Sequence, residues 1–226
     1  MITALLVVAA LSSSPSSSSP PSSSPSSSSS GSSPWTEIHR DDDLVVMTRP
    51  RAGLPVNEMR AVGTVDVPAD SLWALVSDIE AHTRLIPDTT VSKILRYDGD
   101  TAIVLQRSEP QLLSPREYVI AVDRVDEVKA GTGRRRTMTW HALPKGGHEQ
   151  TSADAVVVDV NSGSWSVEAL DNGRSRVTFA LAFDPAGFVP AFVVNAAQRF
   201  GAQEALAVLV RAAIADGHRA IADGHR

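Results

Sequence analysis

The sequence predicts an α+β domain in which a curved antiparallel β-sheet wraps around a long C-terminal α-helix. Three observations predict it. From Pro34 to Asp184, short apolar runs alternate with polar residues and break at Gly, Asn and Asp turns, the signature of strands with one buried face. The strands follow one another closely after one early helical segment, so neighbours are expected to pair antiparallel. After Asp184-Pro185-Ala186-Gly187 the pattern becomes helical from about Val189 to Ala215, a span of about 40 Å at 1.5 Å per residue. A sheet of this size has an apolar face that another element must cover, and only that helix is long enough.

Each element has its own local signal. Leu44 to Thr48 and Glu58 to Val67 are rich in β-branched and apolar residues. Asp70 or Ser71 is a candidate cap for a helix whose stripe is Leu72, Trp73, Leu75, Val76 and Ile79. Ala81 to Ile86 predicts a short second helix that Pro87 stops. Val91 to Tyr97 and Thr101 to Glu109 flank Asp98-Gly99-Asp100, a hairpin turn. Glu117 to Val128, Arg135 to Ala142, Ala155 to Val160, Ser164 to Leu170 and Arg174 to Phe183 complete the predicted strands. Asn161-Ser162-Gly163 and Asp171-Asn172-Gly173 are read as turns between the last three.

The two ends differ from this domain. Residues 1–11 carry an apolar run, Ile2 to Leu11, too short to span a bilayer but the length of a signal-peptide core. Residues 12–33 are Ser- and Pro-rich and read as a disordered linker. The folded domain is expected over 34–216, with a frayed tail at 217–226. Ala-Ile-Ala-Asp-Gly-His-Arg occurs twice in succession, at 213–219 and 220–226. If the leader is a signal, the domain works outside the cytoplasm, in a periplasmic or secreted setting; otherwise it is cytoplasmic.

Composition excludes several classes. With a net charge of −5, the chain lacks the basic character of a nucleic-acid binder. It has no cysteine, which rules out disulfides and thiolate metal sites. His39, His82, His141 and His148 are widely scattered, so no metal site and no cofactor are expected. The HExxH, GxSxG and P-loop patterns of common enzymes are absent.

Alternation assigns one set of side chains to the inner face of the sheet. These are Val104 and Gln106, then Tyr118, Ile120 and Val122, then Met138 and Trp140, then Trp165 and Phe179. On the terminal helix, Asn195, Arg199, Gln203 and Arg211 form a polar stripe, while Phe192 and Phe200 are apolar. Glu204 falls about 180° from Asn195 at 100° per residue, on the apolar side, and is a candidate polar anchor. Alternation alone leaves open whether the inner face packs solid against the helix or encloses a hollow.

Three segments carry a family resemblance: Leu113-Ser114-Pro115-Arg116-Glu117-Tyr118-Val119, then Asn161-Ser162-Gly163-Ser164-Trp165, then Asp184-Pro185-Ala186-Gly187-Phe188-Val189-Pro190 with Val193-Val194-Asn195. They resemble segments of START domains, lipid-transfer modules of the helix-grip (Bet v 1-like, SRPBCC) superfamily. The first is similar to the family's Pro-Arg-Asp-Phe-Val signature, with Glu117 in place of Asp. The second is similar to its late hairpin, and the third to the lead into its last helix. The resemblance covers Trp35 to Ala215.

The resemblance implies an apolar cavity that binds one lipid or other apolar small molecule, without catalysis. The inner-face residues, together with Phe192, Phe200 and Glu204, would then line it. Gly146 and Gly147 would lie in a gate loop, and Arg116 would make a structural hydrogen-bond pair. Steroid-carrying members place a buried Glu and Arg where Gln106 and Val122 stand here, so that ion pair is missing. A polyketide cyclase or aromatase on the same scaffold is the alternative. The chain is expected to be a monomer. Arg134-Arg135-Arg136 is either a solvated hairpin edge or a point of transient membrane-surface contact.

Overall fold

The computed structural model describes residues 34–110, 113–129, 133–144, 152–187, 189–190, 194 and 204–215. Among these, the predicted sheet forms as ten strands: β1 (Thr36–Arg40), β2 (Leu44–Pro50), β3 (Asn57–Val65), β4 (Thr89–Asp98), β5 (Thr101–Ser108), β6 (Arg116–Lys129), β7 (Gly133–Ala142), β8 (Val156–Val157), β9 (Val160–Ala169) and β10 (Ser175–Asp184). Helices α1 (Ala69–Ser77) and α2 (His82–Leu85) lie between β3 and β4. Residues 204–215 form the described part of the terminal helix, α3. The signal-peptide and linker segments, the tail 217–226, Phe192, Phe200, Gly146 and Gly147 lie outside the described residues.

The strand order is β1-β2-β3-β10-β9-β7-β6-β5-β4. Three pairings among the described strands are not between sequence neighbours. The last strand, β10, lies between β3 and β9, with Phe179 opposite both Ala61 and Trp165. Strand β9 pairs with β7, Trp165 opposite Met138. Strand β8 is the exception to antiparallel pairing. It is a two-residue strand parallel to β6, in place of the longer strand expected over Ala155 to Val160. The ion-pair cluster described below holds it there.

Residues 161–163 are a second departure. They belong to strand β9, not to a turn. A Cβ at Gly163 would collide with the Ala180 carbonyl and the Trp140 ring. The glycine is needed for close approach of backbone and indole, which a strand glycine also provides. Asp171-Asn172-Gly173 does turn the chain, with Asn172 and Gly173 both left-handed at φ 63° and 74°.

Strand β1 carried no clear sequence signal. The guanidinium groups of Arg49 and Arg60 each lie 4.3 Å from the centre of the Trp35 ring just before it. Such cation–π contacts fix the start of the strand against β2 and β3. Helix α1 follows Pro68 and has no side-chain cap, so neither Asp70 nor Ser71 serves as one. It buries Leu72 and Val76.

The core is one cluster over the inner face. Val46, Met59 and Ala61 meet Leu72, Val76 and Ile79, and Ala205, Leu206, Leu209 and Ala213 of α3 close over them. The spacing of those four positions gives α3 a single apolar stripe. Across the sheet, Ile103, Val119 and Ala121 make a small outer cluster with Leu105 and Leu143.

Glu117 faces the outer side and organises it. Arg107 donates to its carboxylate at 2.8 Å, and Ser152 donates both its backbone N–H and its hydroxyl at 2.7 Å. Arg107 also bridges Glu109 and Asp154. Burial pushes the Glu117 pKa up, but these hydrogen bonds outweigh it, and the group ends below its ordinary value. Each of Arg134, Arg135 and Arg136 meets a carboxylate, on Asp126, Glu168 and Asp70 respectively.

Replacing Gly163 with Ala forces a methyl group into the β7–β9–β10 contact and should cost about 1–3 kcal/mol, the usual range for overpacking. Urea denaturation of the variant checks this, with the midpoint expected to fall and the slope to stay constant.

Candidate functional site

The inner face of the sheet does not close completely. A pocket of about 180 Å³ lies on it, larger than a dry engineered cavity of roughly 150 Å³ that holds benzene. Strand β5 contributes Gln106 and Ser108, and β6 contributes Tyr118, Ile120 and Val122. Strand β7 adds Met138 and Trp140, β9 adds Asn161 and Trp165, and β10 adds Phe179, Leu181 and Phe183. Ile79, His82, Ile86, Pro87 and Thr89 close the end nearest the helices.

Strand pairing explains why these side chains converge. Gln106 lies opposite Tyr118, Val122 opposite Trp140, and Trp165 opposite both Met138 and Phe179. Directly opposed residues put their side chains on one face, near one another. The aromatic wall is continuous: Trp165 and Phe179 have ring centres 4.3 Å apart, and Trp140 lies 6.2 Å from Phe179. Tyr118 meets Phe183 edge-on at 6.0 Å.

Of the sequence-predicted residues, the structure therefore gathers Gln106, Tyr118, Ile120, Val122, Met138, Trp140, Trp165 and Phe179 around one pocket. Val104 shares their face but is fully buried in the core and does not line it. Glu204 is exposed and stands outside the lining. The buried stripe of α3 centres on Leu206, Leu209 and Ala213, and a step of two residues back from Leu206, about 200°, returns Glu204 to the solvent side. Glu204 acts instead on Asp88, whose carboxyl is raised first by burial and then by the Glu204 charge. Arg116 is buried away from the pocket, its Nε donating to the Pro185 carbonyl at 3.3 Å and its Nη1 to Ser114.

The polar groups in the pocket form two short chains, which the sequence did not reveal. In the first, His82 Nε2 lies 2.9 Å from the Val76 carbonyl, and Gln106 Nε2 lies 3.3 Å from His82 Nδ1 and 3.0 Å from Ser92 Oγ. Ser92 donates to the Ile79 carbonyl at 2.7 Å. In the second, Trp140 Nε1 donates to Asn161 Oδ1 at 2.9 Å, with Tyr118 in the same lining. Burial pushes Tyr118 up to about 12, with Asn161 partly opposing the shift. Burial pulls His82 down, and its bond to Val76 only partly offsets this. Among the described lining residues none carries a formal charge once His82 is neutral.

The described site and sheet together define a START-type helix-grip fold with an inward-facing apolar pocket. A STAR-related lipid transfer protein from Xanthomonas axonopodis superposes with a TM-score of 0.66 at 20% identity, over 79% of this chain and 98% of that one. Human StAR-related lipid transfer protein 5 gives 0.71 at 18% identity, over 81% and 88%. Human STARD10 gives 0.69 at 17%, over 80% and 73%. No curated protein matches the sequence. The chain belongs to the polyketide cyclase / dehydrase and lipid transport family, whose model matches residues 65–209.

The buried state of His82 has a pH consequence. Its folded pKa lies below the unfolded value, so the unfolded chain binds the proton more readily. The stability contribution is fully present above about pH 6.5 and falls as pH drops through that value. Thermal melts taken between roughly pH 7 and 5 should show a falling Tm in the wild type and a flatter profile in His82→Gln.

Proposed function

We propose that this protein binds one uncharged lipid or other apolar small molecule in the inner-face pocket and carries it unchanged. The supporting observation is the pocket: about 180 Å³ of space walled by Tyr118, Trp140, Trp165, Phe179 and Phe183, with no charged side chain among its described lining residues. Burying apolar ligand surface there stabilises the complex by about 25 cal/mol per Å² removed from water. A charged ligand would lose its hydration with no opposite charge among the described lining residues to replace it. The space suits a ring system or a short alkyl segment.

The competing reading is a cyclase, which the family description also includes. Such an enzyme needs a group free to take or give a proton within reach of substrate. His82 is the titratable base in the lining, and both of its ring nitrogens already have protein partners. Tyr118, at about 12, holds its proton firmly near neutral pH. Both facts favour carriage over catalysis.

Native mass spectrometry of protein purified from its own host is the direct test. A single apolar molecule should travel with the wild type and be identified by solvent extraction. In Ile120→Trp, whose side chain projects into the space, the adduct should drop at least about tenfold while the circular dichroism spectrum is retained. A wild type that carries nothing and binds no apolar probe would remove the carrier reading.

A further inference from the structure

The amide of Gln106 is held in one orientation, and that orientation sets what the pocket recognises. A carbonyl oxygen only accepts, so the His82 Nε2 that meets the Val76 carbonyl at 2.9 Å carries the ring proton. In neutral His82 the other nitrogen, Nδ1, is then an acceptor. The Gln106 atom 3.3 Å from it must donate, so it is the amide nitrogen. The second amide hydrogen goes to Ser92 Oγ at 3.0 Å. Ser92 can accept it because its own proton is given to the Ile79 carbonyl. Each donor in this chain has one acceptor, and turning the amide over would set oxygen against the lone pair on Nδ1.

What remains is Gln106 Oε1. Gln106 is 5% exposed, its described hydrogen bonds all use the nitrogen, and the residue lines the pocket. Directly opposite, across β5 and β6, is Tyr118. It lines the same pocket. The pocket thus offers one fixed acceptor. The hydroxyls of Thr89 and Ser108 also line it, but hydroxyls rotate and take either role, so they impose no preference.

We propose that Gln106 selects a ligand bearing a hydroxyl group on an otherwise apolar framework. The ligand hydroxyl gives its proton to Gln106 Oε1. A ketone of the same shape has no such proton to give and leaves the Gln106 oxygen dry and without a partner, which is the costly outcome for a buried polar group. A carboxylate adds an unpaired charge. His82 and Ser92 are positioning residues in this scheme, since they orient Gln106 and do not contact ligand. The proposal rests on the carrier reading above.

Three probes of nearly equal shape separate the two claims: indane, 2-indanone and 2-indanol, titrated into the intact wild-type protein and followed by ligand-observed NMR. Indane binding tests the apolar pocket alone. The expected result is that 2-indanol binds about tenfold tighter than 2-indanone, the worth of one buried hydrogen bond. That advantage should vanish in Gln106→Met. Should Gln106→Met fail to fold, the alcohol-to-ketone ratio in the wild type still decides. Indane binding with no preference for the alcohol overturns the hydroxyl proposal and leaves the carrier reading standing. Failure of all three probes to bind overturns both.

Discussion

Everything in this structure depends on where β10 is inserted. It hydrogen bonds to β3 on one side and β9 on the other. Without it the sheet would separate into β1-β2-β3 and the run from β9 to β4. The aromatic wall needs it too, because Phe179 reaches Trp165 and Trp140 only when β10 lies in register with β9. Close seating is possible because Gly163 offers no side chain against the Ala180 carbonyl. Ser175, fully buried, ties the start of the strand to the Val67 carbonyl ahead of α1. A single strand thus sets both the continuity of the sheet and the shape of the hollow.

The pocket is dry in its chemistry without being purely hydrocarbon. Buried polar groups are tolerated when each is paired, and costly when one is not. His82, Ser92, Asn161 and Trp140 meet that condition through one another or through backbone carbonyls. A neutral glutamine at position 106 avoids the desolvation cost of a buried carboxylate. The outer face takes the opposite course. There Glu117 stays ionised beside Arg107, and Arg107 also forms salt bridges with Glu109 and the exposed Asp154. Consecutive residues of β6 therefore serve two environments, with Glu117 turned outward and Tyr118 inward.

The sequence made the inner face readable because alternation is local. A period of two along β5, β6 and β7 places Gln106, Tyr118, Ile120, Val122, Met138 and Trp140 together once hairpin neighbours pair. It was silent about groups that arrive from irregular segments. His82 enters at the start of a four-residue helix, with no periodicity to mark its direction. Asn161 was hidden in a Gly-containing tripeptide with turn chemistry, and close packing against Trp140 keeps it in a strand instead. Glu204 was assigned from helical phase alone, and the phase is fixed by which residues of α3 find the core. The β3–β10 pairing has no local signature at all.

That last pairing also dictates how the chain must assemble. Val67 and Ser175 are 108 residues apart in sequence, and loop closure over such a distance must precede the contacts that reward it. As synthesis proceeds from the N-terminus, β3 emerges with its partner edge unfilled and waits for more than half the domain to follow. An unpaired strand edge of this kind is a template for association with other chains. The nascent protein is therefore most vulnerable to aggregation during the interval between the exit of β3 and the arrival of β10, and a chaperone that covered that edge would act there.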